Sequence, residues 1–164
     1  MRGLFIGRFQ PFHLGHLVTV KYALCSAKEL IIVIGSAQKS HEARNPFTAG
    51  ERIEMIRESL QADEEVSIDK ILLIPVPDME THGLWTREVD LLVPRYNVVF
   101  TNDSFTRQLY IERDIKVIEP NMYKREVLSA TEVRTRISKG EAWKKLVTDK
   151  TASIIEEIGG VERI

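Results

Sequence analysis

The sequence predicts an α/β fold in which a parallel sheet of five strands is doubly wound, with helices on both faces and a mostly helical C-terminal part. Two observations support this prediction. Short runs of Ile, Val, Leu and Phe alternate with longer amphipathic stretches, which is typical of parallel strands joined by crossover helices. After the fifth apolar run, the remaining residues show helical periodicity.

Each element can be placed in chain order. Apolar runs bounded by turn residues or charges predict buried strands at residues 3–6, 30–34, 71–74, 98–101 and 115–118. Amphipathic stretches predict helices at about 15–27, 49–61, 82–92, 103–110, 131–139 and 142–158. The result is an open, Rossmann-like sheet. Since such sheets bind ligands beyond the carboxyl ends of their strands, we expect the chemistry in the loops that follow the strands.

Length and composition set limits on the classes of function. The chain has 164 residues and no linker or repeat, which predicts a single domain over 1–164, with an α/β core over about 1–120 and a C-terminal helical part over about 121–164. A net charge of −1 provides no global field for nucleic acid or an anionic membrane. The longest apolar run, 30–34, is too short to span a bilayer. The single cysteine, Cys25, excludes an intramolecular disulfide and favours a cytoplasmic location.

The small net charge conceals an uneven distribution. Residues 1–52 hold seven Lys or Arg against three Asp or Glu, and residues 123–139 hold five against two. Residues 53–122 hold seven against fourteen. Two basic stretches therefore flank an acidic middle, and both contain candidate phosphate ligands.

The densest group of functional candidates follows the first predicted strand, in the segment GRFQPFHLGH. Gly7 allows a sharp turn, and Gly15 leaves no side chain at the start of the next helix. His13 and His16 are three residues apart, so both rings can face one point at a helix N-terminus, where an anion is favoured. Arg8 adds a forked cation suited to phosphate. The pattern predicts a polyphosphate site; the alternatives are zinc binding by the two histidines, or two structural histidines beside a tight turn.

A second candidate site lies late in the chain, in the segment SATEVRTR. Ser129 followed by Glu132 is a capping-box pattern that predicts a helix start. Backbone N–H groups, the hydroxyls of Ser129 and Thr131, and the guanidinium of Arg134 can form a second phosphate cradle. Arg136 lies two residues further on and should point elsewhere around the helix. An ordinary capped helix with solvated arginines is the alternative.

Further candidates follow the second, third and fourth strands. Small residues after the second strand, including Ser36, suit a nucleotide that lies against the backbone. Trp85 offers a flat face on which a pyridinium ring can stack, and Asp78 can accept hydrogen bonds from a carboxamide or a ribose. Asn102 can serve a ribose or a phosphate. For Trp85, a tryptophan that caps the core is the alternative.

The two motifs together resemble a known superfamily. The segment GRFQPFHLGH is similar to the G-x-F-x-P-x-H-x-G-H signature of the nucleotidylyltransferases, and SATEVR is similar to their I-S-x-T-x-x-R segment. The intervening GSAQ, NPFTAGER and LW resemble, more narrowly, the archaeal nicotinamide mononucleotide (NMN) adenylyltransferases. The similarity extends over about residues 2–163. One departure is Ala130, where many relatives carry glycine, a small change that still permits close approach.

This resemblance implies that the protein condenses ATP with NMN to give NAD and pyrophosphate, by in-line attack of the NMN phosphate on the α-phosphorus of ATP. A phosphate monoester is already largely ionised at neutral pH, so no general base is needed. The resemblance further implies Mg²⁺, or another divalent metal, held mainly by the ATP phosphates rather than by the protein. It also implies a cytoplasmic homo-oligomer, hexameric in archaeal relatives, with no nucleic-acid or membrane partner.

The resemblance also assigns roles to individual residues. The implied catalytic residues are Arg8, His13, His16 and Arg134. The implied ATP and phosphate ligands are Gly7, Phe9, Gly15, Ser36, Gln38, Arg44, Ser129, Thr131 and Arg136. The implied NMN ligands are Asp78, Trp85 and Asn102. For Arg44, a solvated loop charge is the alternative.

Two other functions fit the same residues. One is adenylyl or cytidylyl transfer to a different phosphorylated acceptor, such as phosphopantetheine, FMN or a polyol phosphate. The other is a non-catalytic nucleotide sensor that keeps the pocket. The products formed with each acceptor distinguish transfer to another acceptor from transfer to NMN. Tight ATP binding with unchanged turnover in a His16→Ala protein would indicate the nucleotide sensor.

Overall fold

The structure, a computed structural model, describes residues 1–120 and 127–164. Residues 121–126, which begin the predicted C-terminal helical part and include basic residues of the stretch 123–139, lie outside the described residues. The chain divides into two compact units that are interleaved in sequence, and the predicted single domain stays a prediction. Among the described residues, the first unit holds Met1–Arg8, Thr19–Ala37 and 69–120, and the second holds Phe9–Val18, Gln38–Ile68 and 127–164.

The first unit contains a five-stranded sheet in which all neighbouring strands are parallel. Its strands are β1 (Arg2–Gly7), β2 (Glu29–Ile34), β3 (Ile71–Pro75), β4 (Val98–Phe100) and β5 (Val117–Ile118). They lie in the order β3-β2-β1-β4-β5, so the winding reverses direction between β1 and β4. This order confirms the doubly wound α/β class predicted from the sequence.

Six α-helices are present among the described residues: α1 (Leu14–Ser26), α2 (Ala49–Gln61), α3 (Trp85–Leu92), α4 (Ser104–Ile111), α5 (Ala130–Ser138) and α6 (Asp149–Glu157). Short 3₁₀ turns occupy Ile68–Lys70, His82–Leu84, Lys144–Leu146 and Val161–Arg163. Within the part of the chain that is described, no helix has the length and apolar character needed to cross a membrane.

Helices cover both faces of the sheet. On one face, Leu4 of β1 packs in a buried cluster with Val89 of α3 and Tyr110 of α4. On the other face, the ring of Phe100 meets the ring of Tyr22 of α1 edge to face, with centroids 6.4 Å apart. Because successive strand residues point to opposite faces, the near-continuous apolar runs of the sequence are explained by this two-sided burial.

Two predicted boundaries are wrong, each for a local reason. The predicted helix 142–158 starts only at Asp149, because the hydroxyl of Thr148 accepts a hydrogen bond from the Thr151 backbone at 3.1 Å and caps the helix there. The fifth strand does not begin at Ile115. The Ile115 N–H closes the turn after α4 by donating to the Tyr110 carbonyl at 3.1 Å.

The second unit is mostly helical. Its α2 and α6 pack together, and the Ser59 hydroxyl of α2 lies 2.5 Å from Thr148 Oγ1 and 3.2 Å from Thr151 Oγ1. Helix α2 begins with a capping box between Thr48 and Glu51. The Glu51 carboxylate also receives Arg163 Nη1, at 2.9 Å to each oxygen. Caps and paired charges thus fix the start of α2 in a unit whose described residues include none of the five strands.

Candidate active site

The predicted site residues fall into two groups, one in each unit. The first unit contains Gly7, Arg8, Ser36, Asp78, Trp85 and Asn102. The second unit contains Phe9, His13, Gly15, His16, Gln38, Arg44, Ser129, Thr131, Arg134 and Arg136. This division separates the residues assigned to NMN from most of those assigned to the ATP phosphates.

The first unit has a cavity of about 390 Å³ in the loops that follow its strands. Gly7, Arg8, Ser36, Asp78 and Trp85 all line it. Its volume lies in the range typical of small-molecule sites. Asn102 is not among the lining residues, so its assigned role stays a prediction.

Ser36 holds the Asp78 carboxylate in this cavity. The Ser36 backbone has a φ of +50°, a left-handed conformation that costs a non-glycine residue of order 1–3 kcal/mol. Ser36 is buried, and its hydroxyl donates to Asp78 Oδ1 at 3.0 Å. Backbone strain at the end of a strand therefore coincides with the positioning of a charged side chain.

The Trp85 indole forms a fixed wall of the cavity. Its Nε1–H donates to the Pro77 carbonyl at 2.9 Å, which sets the orientation of the ring. A Cβ built on Gly35 would lie 3.7 Å from Trp85 Cζ2. Trp85 also packs against the hydrophobic core of the first unit. The packing and ligand-binding interpretations of this tryptophan are thus compatible.

Several residues that line the cavity are not among the predicted ligands. Asp103 lines the cavity and also caps α4, where its Oδ1 accepts from the Thr106 N–H at 2.7 Å. His82 and Phe105 line it too, and their rings meet edge to face at 6.4 Å between centroids. The signal was available for Asp103, because an Asp between a predicted strand and a predicted helix is typical of a helix N-cap.

In the second unit, His13 and His16 form a reciprocal pair. The His13 N–H donates to His16 Nδ1 at 3.2 Å, and the His16 N–H donates to His13 Nδ1 at 3.3 Å. The two rings stack with centroids 3.5 Å apart. Phe9 and Phe12 enclose His16, with centroid distances of 4.7 and 5.6 Å. The motif therefore folds into a compact aromatic group.

This geometry determines the protonation state of both rings. Burial lowers the pKa of His13 to about 4, and burial together with the neighbouring His13 lowers the pKa of His16 well below its ordinary value. Because each Nδ1 accepts a backbone hydrogen bond, the proton of each neutral ring resides on Nε2. His13 and His16 are thus neutral hydrogen-bond donors through Nε2–H.

The zinc alternative lacks a third ligand in the described part of the chain. No group of three or more His, Cys, Asp or Glu side chains there is arranged to hold a metal ion. The two Nδ1 atoms are also engaged with backbone N–H groups. A metal would have to compete with those bonds for the same lone pairs.

We predict that both histidine rings remain neutral, with the proton on Nε2, from about pH 6 to pH 8. A lowered pKa means that protons are taken up only in more acid solution, so neither ring charges within this range. Long-range proton–nitrogen NMR spectra of ¹⁵N-labelled protein report the tautomer directly. An imidazolium signature for either ring at pH 6.5 would contradict this assignment.

Gly15 is required by the packing of this loop. A Cβ at this position would lie 3.0 Å from two ring atoms of His13 and 3.2 Å from the Leu128 carbonyl oxygen. Both distances are tighter than ordinary van der Waals contact, so the glycine permits the close approach that the sequence predicted.

The second motif forms the start of α5. The Ser129 hydroxyl accepts from the Glu132 N–H at 3.1 Å, which confirms the predicted helix start. The Glu132 carboxylate pairs with Arg136 Nε at 2.8 Å. Arg134 Nη1 donates to the Gln10 carbonyl at 2.7 Å, and its Nη2 lies 3.5 Å from Thr131 Oγ1. Arg134 is thus attached to the segment that contains His13 and His16, residues 9–16, which we call the histidine loop. Arg136 is instead attached to Glu132 of its own helix.

Gln38 and Arg44 lie in the loop that precedes α2, and both are exposed. This loop contains a tight turn in which the Asn45 N–H donates to the Glu42 carbonyl at 2.9 Å and the Glu42 N–H donates to the Asn45 carbonyl at 3.2 Å. Arg44 is part of that turn, so its backbone has a defined position even though its side chain is exposed.

Comparison with known proteins identifies the family. The profile of the cytidylyltransferase-like family matches residues 4–136. A nicotinamide-nucleotide adenylyltransferase of Pyrococcus horikoshii is 47% identical over 100% of this chain and 87% of its own length. One of Archaeoglobus fulgidus is 45% identical over 100% of this chain and 95% of its own length. The chain belongs to the archaeal nicotinamide-nucleotide adenylyltransferases of the cytidylyltransferase-like family.

The fold of this chain is similar to that of a solved structure of a bifunctional protein. A bifunctional NMN adenylyltransferase/ADP ribose pyrophosphatase from Francisella tularensis, complexed with AMP and a Mn ion, superposes with a TM-score of 0.83 at 26% identity. The match covers 98% of this chain and 50% of that one, so this chain spans half the length of the bifunctional protein. The nucleotidylyltransferase superfamily inferred from the two motifs, and the adenylyltransferase class inferred from the segments between them, are both confirmed.

Proposed function

We propose that the protein transfers the adenylyl group of ATP to NMN, giving NAD and pyrophosphate, as a step of NAD synthesis. The observation that carries the proposal is the reciprocal His13–His16 pair, which presents two neutral Nε2–H donors from the signature loop. Neutral donors suit a reaction in which negative charge grows on phosphoryl oxygens and no proton has to move.

In this reaction, an oxygen of the NMN phosphate forms a bond to the α-phosphorus of ATP. The bond between that phosphorus and the bridging oxygen breaks, and pyrophosphate leaves with the electron pair. His16 Nε2–H donates to an oxygen of the transferring phosphoryl group, while His13 and Arg134 bind the neighbouring phosphate oxygens. These donors are positioned before the substrate arrives, so they stabilise the developing charge without reorganisation.

We propose Mg²⁺ as the divalent metal, bound to the ATP phosphates rather than to a protein cluster. The donor set supports this assignment, since the described residues contain no cluster of three metal-binding side chains. When bound, the ion neutralises charge on the leaving pyrophosphate. The chain itself then needs to supply only hydrogen-bond donors and cations, which His13, His16 and Arg134 provide.

The cavity of the first unit is the proposed NMN site. The pyridinium ring stacks on the Trp85 indole, and the Asp78 carboxylate, held by Ser36, accepts from the carboxamide or the ribose. Arg8 lines the same cavity and supplies a cation for the NMN phosphate. Asp78 and Asp103 favour a cationic ring that bears a neutral amide over one that bears a carboxylate. NMN is therefore the preferred acceptor over its deamidated form.

We expect Trp85→Ala to raise the KM for NMN about tenfold, because it removes a cation–π contact of roughly 0.5–2 kcal/mol with the pyridinium ring. ATP has no such ring, so its binding does not depend on this contact. The KM for ATP should change less than about twofold. The matched control is Trp143→Phe, because the buried Trp143 lies on no candidate site. In that background Trp85 is the remaining tryptophan, so fluorescence quenching by NMN reports the stacking directly. Equal weakening of ATP and NMN would indicate a packing role.

The acceptor assay tests the proposal. The protein is incubated with Mg²⁺ and ATP, and separately with CTP, in the presence of NMN, nicotinate mononucleotide, phosphopantetheine, FMN or a polyol phosphate. We expect NAD from ATP and NMN, with one pyrophosphate per NAD. A product from another acceptor with none from NMN would overturn the proposal in favour of that acceptor. Tight ATP binding with no product from any acceptor would favour a nucleotide sensor.

The family resemblance also supports a cytoplasmic homo-hexamer, which stays a prediction. Size-exclusion chromatography with light scattering measures the subunit number of the full chain, with 18.8 kDa expected per subunit. A monomer at micromolar concentration would contradict the hexamer without affecting the proposed reaction.

A further inference from the structure

Gln10 occupies an unusual position in the histidine loop. Only 1% of its surface is exposed, and its side-chain amide pairs with the backbone of Phe47 in both directions. Gln10 Nε2 donates to the Phe47 carbonyl at 2.9 Å, and the Phe47 N–H donates to Gln10 Oε1 at 2.9 Å. Phe47 is fully buried, so a side chain without both a donor and an acceptor would leave one of its backbone groups unpaired.

The backbone of the same residue makes a third connection. Its carbonyl oxygen accepts from Arg134 Nη1 at 2.7 Å. Gln10 therefore joins three segments of the second unit: the loop with His13 and His16, the loop with Arg44, and the helix with Arg134. Each of these segments contains a candidate phosphate ligand, whereas Gln10 itself has its polar side-chain atoms occupied by protein.

The Phe47 backbone is closely linked to Arg44. The turn between Glu42 and Asn45 is closed by two backbone hydrogen bonds, and Asn45 Nδ2 also donates to Glu42 Oε2 at 3.2 Å. Only one residue, Pro46, separates this turn from Phe47. Because the turn is internally bonded, a shift of Phe47 moves the turn, and with it the base of the Arg44 side chain.

We propose that Gln10 is a positioning residue that sets the Arg44 loop against the histidine loop for binding of the ATP phosphates. The inference rests on the proposed function, since it needs ATP phosphates as the ligand of both loops. Gln10 contacts no substrate in this account. Its effect reaches ATP through Arg44, so its loss should change the kinetic constants for ATP and spare those for NMN.

The test compares Gln10→Met, which removes both side-chain bonds and keeps the backbone carbonyl for Arg134, with Gln61→Met, an exposed glutamine of α2. We expect Gln10→Met to raise the KM for ATP about tenfold and lower kcat, with the KM for NMN within about twofold. Hydrogen exchange of a peptide that includes Phe47 should become faster. Gln61→Met should leave all of these quantities at wild-type values.

A double-mutant cycle with Arg44→Ala then asks whether Gln10 acts through Arg44. If it does, Gln10→Met changes the KM for ATP by less than about twofold in the Arg44→Ala background. Independent, multiplicative effects of the two substitutions would overturn the proposal. An unchanged KM for ATP, with only a lower melting temperature, would also overturn it and indicate a purely structural residue.

A second variant keeps the test informative if Gln10→Met does not fold. Gln10→Glu retains an acceptor for the Phe47 N–H and loses the donor to its carbonyl, and the same difference between the KM values for ATP and NMN is expected.

Wild-type protein that makes no NAD would refute the proposed function alone. In that case ATP affinity measured by calorimetry replaces the KM, and equal affinities of wild type and Gln10→Met would overturn the role of Gln10.

Discussion

Replacement of His16 by alanine lowers kcat by at least about a hundredfold, the scale of one lost transition-state donor. The reason is the position of the proton: His16 accepts the His13 N–H at Nδ1, so the single N–H of its ring is on Nε2, and the proposed reaction assigns that donor to the transferring phosphoryl group. Substrate affinity should change much less than kcat, since the charge on that oxygen grows only as the reaction proceeds. Steady-state and single-turnover kinetics measure both quantities.

Two further variants separate donor loss from loop disruption at His16. Glutamine carries an N–H at a similar reach, so His16→Gln should recover part of the rate lost by His16→Ala. His41→Ala, in an exposed loop, removes an imidazole elsewhere and should leave kcat unchanged. A decrease of less than about threefold for His16→Ala would contradict the assigned role.

Replacement of Arg134 by alanine lowers kcat/KM for ATP by about a hundredfold or more. This substitution removes a cation from the candidate phosphate cradle and also the bond to the Gln10 carbonyl. The kcat/KM of Arg134→Lys should lie between those of the wild type and Arg134→Ala, because lysine keeps the positive charge but lacks the planar guanidinium that can bind two partners at once. The measurement is kcat/KM for ATP at saturating NMN.

The control for Arg134 is Lys139→Ala, which removes an exposed cation from the C-terminal end of the same helix and should have no effect on kcat/KM. If Arg134→Ala stayed within about threefold of wild type, the second motif would be an ordinary capped helix. If Lys139→Ala were equally damaging, the loss would reflect the overall positive charge of the segment instead of one residue.

Much of the fold could be predicted because the local amino-acid composition indicates which segments are buried. The apolar residues of two central strands are fully buried, from Leu30 to Ile34 in β2 and from Val98 to Phe100 in β4, and short runs of Ile, Val and Leu between turn residues and charges are typical of such strands. The edge strand β3 has the same composition but is only partly buried. The elements that were misplaced depend on single hydrogen bonds. Ile115 has the apolar character of a strand residue, yet its N–H closes the turn after α4. Periodicity carries no information on such a choice.

The residues of the candidate site also differ in how far the sequence predicts them. His13, Gly15 and His16 are predictable because a short, dense motif contains its own geometry: reciprocal backbone bonds over three residues and a glycine that avoids a clash. Gln10 was not predictable, because its partner Phe47 is 37 residues away and a glutamine between Phe9 and Pro11 has no local signature. Its role follows only from the tertiary structure.

The central claim, direct adenylyl transfer to NMN, is tested by ATP that carries radioactive phosphorus at the α position. The protein is incubated with this ATP, Mg²⁺ and NMN, and the labelled products are separated. We expect the label in NAD, unlabelled pyrophosphate in equal amount, and no label on the protein. Label retained on the protein, or no labelled dinucleotide at all, would contradict the claim.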